Sequence, residues 1–217
     1  MSPPVHVLHV SKTGGSAVKE VLLPIARRHG LVVHGHWKSL REVPEGERAV
    51  FFLREPASRF VSAFNSRLRR GRPKFDNEWT EPERAAFARF ATPNALAEAL
   101  SADDDGERRL ARDAMGAIGH VNLPLSVWLD SPEYLAERRD AIAFVGFQER
   151  LTEDFEILKR LLGLPPDLAL PTDPVVAHAT PAGFETSLSA TARHNLTEWY
   201  ARDVAIYEYL RRSHPRS

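Results

Sequence analysis

The chain has 217 residues, 43% hydrophobic and 27% charged, which suits a soluble globular domain with its own packed core. Its 29 basic and 29 acidic residues cancel, so bulk charge gives no reason to expect nucleic acid as a partner. There is no cysteine, no apolar run near the ~20 residues of a membrane span, and no basic segment leading into a long apolar one at the start. The expectation is therefore a cytoplasmic protein without disulfides or stable membrane insertion.

The first element is an apolar strand from Val5 to Val10. It runs into Ser11-Lys12-Thr13-Gly14-Gly15-Ser16-Ala17, after which a helical pattern begins. Such a loop can cradle an anion. Glycines let backbone N–H groups turn inward, and the helix start adds N–H donors and a partial positive charge. Lys12 adds a full charge, and Thr13 and Ser16 add hydroxyl donors. The order is not that of a Walker A loop, in which the lysine follows the glycines. On this segment alone, an ordinary strand-to-helix turn stands beside the anion cradle.

A second strand ends near His34, followed by Gly35-His36-Trp37. His-x-His can ligate a metal, but no cysteine or nearby carboxylate pair completes a site. One of the histidines can equally be structural, orienting the other.

Ala49 to Leu53 is a continuous apolar run, as in a strand buried on both faces. Arg54 ends it and Pro56 opens a helix with Val61, Phe64 and Leu68 on its core stripe. Ser62 lies on another stripe. Arg54 and Ser62 can form a second phosphate site, or Arg54 can pair with a carboxylate such as Glu55.

Arg67, Arg69, Arg70, Arg72 and Lys74 follow that helix, read either as a solvated helix end or as a basic patch for an acidic acceptor. Residues 76–142 look largely helical, with a capping box at Thr80-Glu81-Pro82-Glu83 and another start at Ser131-Pro132-Glu133. Asp103-Asp104-Asp105-Gly106 lacks the spacing of a calcium loop and reads as a solvated turn. Phe144 to Glu149 leads into a helix with the stripe Leu151, Phe155, Leu158 and Leu162. A long final helix carries Leu196, Tyr200, Val204, Tyr207 and Leu210.

Together, the loop around Lys12 and the segment Arg54-Glu55-Pro56-Ala57-Ser58-Arg59-Phe60-Val61-Ser62-Ala63-Phe64 resemble the sulfotransferases that use 3′-phosphoadenosine-5′-phosphosulfate (PAPS). Their motifs read roughly Pro-Lys-Thr-Gly-Gly-Thr-Ser and Arg-Asp-Pro-x-x-Arg-x-x-Ser-Ala-Tyr, and the step from Arg54 to Ser62 matches. Ser11, Ala17, Glu55 and Phe64 depart from that pattern. His34-Gly35-His36-Trp37 further resembles a stretch of the carbohydrate sulfotransferases, of the heparan sulfate 2-O and 6-O type, and their bacterial relatives.

The resemblance implies an α/β fold, a central parallel sheet flanked by helices with a P-loop-like phosphate-binding loop. It implies one sulfotransferase domain over 1–217, with a largely helical insertion at about 76–142. Lys12 and the backbone of Thr13, Gly14, Gly15, Ser16 and Ala17 would hold the 5′-phosphosulfate. Arg54 and Ser62 would hold the 3′-phosphate. Thr180, with His178, would contact the nucleotide from a closing segment over 176–187. His36 would be the general base and His34 its support, the reverse remaining open. The product would be adenosine 3′,5′-bisphosphate, the acceptor a hydroxyl of a glycan or other small molecule, and no metal would be needed. Two other classes stand beside this. A P-loop-like kinase would need a magnesium-binding carboxylate and a Walker A loop. A non-catalytic nucleotide- or glycan-binding module would keep the cradle without a base.

Overall fold

Four short apolar runs form the strands β1 (Val5–Val7), β2 (Leu31–Val33), β3 (Arg48–Leu53) and β4 (Ile142–Phe147) in the computed structural model, which describes residues 3–173, 175–176 and 180–214. All pair in parallel, in the order β2-β1-β3-β4. Helix α1 (Gly15–Leu22) and a 3₁₀ segment (Leu23–His29) carry the chain from β1 to β2. The fold is therefore α/β, a parallel sheet with flanking helices.

From β1 the chain moves outward to β2, then returns to place β3 on the other side of β1. That reversal is a topological switch point, and ligands of open α/β sheets bind outside the strand carboxyl ends there. The loop at Lys12 leaves β1 at this edge, and Arg54 follows β3 at the same edge.

β1 is shorter than the expected Val5 to Val10. Pairing continues one step beyond it, with Leu8 N–H donating to Val50 O (3.0 Å) and His34 N–H to Val7 O (3.0 Å). After that the backbone turns into the loop.

Contacts group the chain into two compact units whose boundaries differ from those of the expected insertion. One comprises Met1–Glu55, Leu125–Ala179 and Ala205–Ser217, the other Pro56–Pro124 and Thr180–Val204. The first holds the sheet. Val7, Val50 and Phe52 bury against Val18 and Leu22 of α1 and against Phe155 and Leu158 of α8 (Leu151–Leu162). Ala49, Phe51 and Leu53, which alternate to the other face, are also buried, so β3 has no solvated face.

The second unit is built by α2 (Pro56–Leu68), α3 (Glu81–Arg89), α4 (Pro93–Ala99), α5 (Asp105–Ala117) and α9 (Ala190–Trp199). Phe60, Phe64, Leu96, Met115, Ile118 and Leu196 lie in its core. Arg59 is 2% exposed and pairs with Asp203 at 3.3 Å, while its other nitrogen donates to Leu123 O at 2.6 Å. Arg59 therefore braces this unit from within.

The capping box at Thr80 and Glu83 forms as expected, and Ser131 caps α7 (Pro132–Glu137), which follows α6 (Ser126–Leu129) in the first unit. The acidic turn is a helix start, with Asp104 accepting from Glu107 N–H at 2.7 Å. Of the five basic residues, Arg67 pairs with Glu83, Arg70 with Glu78 and Arg72 with Asp76, and Arg69 donates to Arg72 O at 2.7 Å. That favours a helix end stabilised by its own carboxylates over an acceptor patch.

The expected single final helix is two. Tyr200 interrupts it with φ −101° and ψ 29°, and α10 (Ala201–Ser213) follows. The break lets the Tyr200 hydroxyl donate to Val121 O at 2.7 Å. The buried stripe resumes at Asp203, Ile206, Tyr207 and Leu210 rather than at Val204. Among the described residues, no helix is long and apolar enough to cross a membrane.

Candidate active site

Gly14 precedes α1 with φ 85°, in the left-handed region that favours glycine. A side chain there would also meet Leu151, 3.1 Å away. Lys12 holds φ 66° as a non-glycine residue, a conformation that costs roughly 1–2 kcal/mol. Such strain is held by the surrounding structure and clusters at working sites.

Two of the expected loop contacts take other partners. The Thr13 hydroxyl donates to Val10 O at 2.9 Å and is fully buried. Its one proton therefore ties the loop to the end of its own strand segment, and does not point at a ligand. The Ala17 N–H donates to Gly14 O at 3.1 Å, and its methyl is buried. Ala17 closes the first turn of α1. The amides at the very start of a helix lack a carbonyl within it, and here those belong to Gly15 and Ser16.

The two histidines of His34-Gly35-His36 diverge. Simple alternation would place residues two apart on one face. The chain instead leaves β2 and turns at His36-Trp37. His34 Nε2 lies 2.8 Å from His6 Nδ1, and His6 Nε2 contacts the carboxylate of Glu47. The His36 ring packs on the buried His9 ring, 3.9 Å between centroids, and interacts with the His9 backbone. The buried indole of Trp128 donates to the His36 carbonyl oxygen and pins its backbone. His34 thus does not orient His36 as expected.

Both imidazoles are held below their usual 6.5. For His36 the causes are burial, then the charges of Lys19 and Lys12, opposed by the His9 backbone contact. For His34 they are burial, then His6 and Lys38, opposed by Glu42. An imidazole so placed stays neutral near neutral pH and can take a proton. Only His36 feels the loop lysine strongly enough for Lys12 to count among its causes. Trp37, beside it, is 75% exposed and offers a flat apolar face to solvent.

Arg54 is half-buried. Burial lowers its pKa, and the carboxylates of Glu149 and Glu55 oppose this. Glu149 also accepts from Glu55 N–H at 2.7 Å. The carboxylate charge felt by Arg54 is therefore that of Glu149, brought in by the turn after β4, the strand next to β3, as well as that of Glu55. Ser62 lies half-buried on α2 and Thr180 is half-buried; both belong to the second unit. His178 lies outside the described residues.

Sequence reasoning passed over His9, Lys19, Glu149, His6 and Glu47. His9 was visible as a polar residue in an apolar run, and Lys19 as the residue one helical turn after Gly15. Nothing local marked Glu47 or Glu149, because their partners lie on neighbouring strands.

Comparison with curated proteins and with solved structures returns no match. The model of the sulfotransferase family matches residues 3–210, which include the Lys12 loop, both histidines and the Arg54 segment. A match over nearly the whole length, with a parallel sheet that brings Lys12 and Arg54 to one edge, means that the chain belongs to the sulfotransferase family.

Proposed function

We propose that this transferase moves a sulfuryl group from PAPS to a hydroxyl of a carbohydrate-like acceptor, with residues 1–217 acting as one catalytic domain. The observation that carries this reading is the position of His36, whose ring packs on the buried His9 ring and whose pKa is lowered by burial and by the charges of Lys19 in α1 and Lys12 in the loop before it. Group transfer needs a base for the acceptor proton and fixed positive charge for the leaving group; in this reading His36 after β2 is the base and Lys12 after β1 the charge.

In the proposed reaction, the acceptor oxygen attacks sulfur in line and its proton passes to His36. The new O–S bond forms as the bond from sulfur to the 5′-phosphate oxygen breaks. Adenosine 3′,5′-bisphosphate leaves with the bonding electron pair. Lys12 and the Gly15 and Ser16 amides meet the charge that develops on the 5′-phosphate. Gly14 allows the loop its turn, and Thr13 and Ala17 hold its shape. Arg54 binds the 3′-phosphate. The exposed Trp37 indole supports a sugar as acceptor, since a pyranose can stack its apolar face on it.

The test is transfer of radiolabelled sulfate from PAPS to a panel of glycans, with phenols and lipids as comparators. Label should appear on glycans and be lost in His36→Ala. Binding of adenosine 3′,5′-bisphosphate without transfer to any acceptor would overturn the reading in favour of a binding module.

A further inference from the structure

His9 is buried where two parts of the site meet. Its ring lies 3.9 Å from that of His36, inclined by 33°. It also meets the donor loop: a Cβ at Gly15 would stand 2.6 Å from His9 Cδ2 and 3.2 Å from Nε2. No real Cβ is accommodated at 2.6 Å from a ring carbon. Gly15 does not have the positive φ of Gly14. Its backbone is thus open to any residue, and what demands glycine there is the His9 ring. The site is nevertheless populated by a bulky imidazole rather than by a smaller apolar residue that would relieve the demand.

We propose that His9 is a positioning residue for sulfuryl transfer, a wedge between the donor loop and the base that sets the His36 ring beside Lys12. The ring also keeps water from His36. Burial is the largest cause of the low His36 pKa, and His9 is the ring packed directly upon it. The groups facing His36 are then Lys19 and Lys12 from the loop and α1, and the His9 backbone from the chain after β1. The catalytic part of this inference rests on His36 being the base.

The experiment uses His9→Ala, His9→Phe, Gly15→Ala and the His9→Ala/Gly15→Ala double variant of the full chain. Three quantities are read: affinity for adenosine 3′,5′-bisphosphate by calorimetry, the His36 titration by imidazole NMR, and the pH–rate profile. His9→Ala should lower kcat at least tenfold, change nucleotide affinity less than threefold, and move the His36 titration upward as water reaches the ring. His9→Phe keeps a planar ring and should recover most of the kcat. Gly15→Ala alone should weaken nucleotide binding about tenfold or more by displacing the loop. The double variant should return to within threefold of His9→Ala, because the clashing ring is gone.

An unmoved His36 titration in His9→Ala would overturn the wedge. So would a double variant that binds nucleotide as poorly as Gly15→Ala, since the glycine would then serve the phosphate and not His9. The NMR and calorimetric arms need no turnover. They decide the positioning of His36 even if His36→Ala proves active, an outcome that would remove the base assignment alone.

Discussion

Nδ1 of His6 and Nε2 of His34 are 2.8 Å apart, with their rings within 5° of parallel. His6 Nε2 in turn contacts the Glu47 carboxylate. An ionised carboxylate only accepts, so His6 carries a proton on Nε2. This chain joins the residue before β3, the middle of β1 and the end of β2, so His34 is an anchor of the sheet edge.

A crossed pair of outcomes follows for the two histidines. His34→Ala leaves the buried His6 nitrogen without its partner and should cost about 1–3 kcal/mol of stability. Its turnover should stay near that of the unmodified protein. His36→Ala should fold with little loss but lose ~10²–10⁴-fold in turnover. Urea unfolding and sulfate transfer on the same preparations check both. The opposite pattern would make His34 the base.

Lys19 and Lys12 both depress the His36 pKa, after burial. Removing either charge should raise it towards 6.5, so the acid limb of kcat/KM should move to higher pH. Lys19→Gln should show this shift with a modest rate loss. Lys12→Ala should show it together with a loss of ~10²–10³-fold, because its charge matters most as the phosphate departs. A pH–rate profile for each variant is the measurement, and an unshifted limb in both would separate His36 from the loop.

Arg54 shares its guanidinium field with Glu149 and Glu55. Arg54→Ala should weaken adenosine 3′,5′-bisphosphate by about 1.5–3 kcal/mol and leave adenosine 5′-monophosphate nearly unchanged. Glu149→Gln keeps an oxygen for Glu55 N–H but removes a competing charge. It should tighten the bisphosphate by about 0.2–1 kcal/mol. Calorimetry with the two nucleotides reads both effects. Equal affinities in the unmodified protein would remove Arg54 from the donor site.

Glu83 offers a stability test apart from the chemistry. Burial would raise its pKa, but bonds from Arg67, Gly119 N–H and Thr80 N–H win and bring it from 4.5 to about 2. The lowered folded value means that its stabilisation is complete above pH 4.5 and is lost as pH falls towards 2. Glu83→Ala should cost about 3–5 kcal/mol at neutral pH, since it leaves Arg67 without its buried partner. The difference between the two proteins should shrink through that acid window when followed by urea unfolding.

Local chemistry was enough for several parts of this protein. The apolar run at Ala49 to Leu53, the glycine pair after Lys12 and the capping box at Thr80 each contain their own reason for the structure they adopt. Strand type, loop conformation and helix starts depend on neighbours a few residues away, so they could be read in order along the chain. The resemblance to sulfotransferases rested on such segments and was sustained by a family match over residues 3–210.

The parts that needed the tertiary structure all depend on which strands become neighbours. Parallel pairing of β1 with β2 and β3 delivers His34 to His6 and Glu47, although 28 and 13 residues separate His34 from them in sequence. The turn after β2 sends His36 away from His34 and against His9. The break at Tyr200 answers to Val121 and to the Arg59–Asp203 pair, none of which a helical stripe can register. Periodicity reports whether a residue is buried, while the partner it meets there is decided by crossover connections and sheet order.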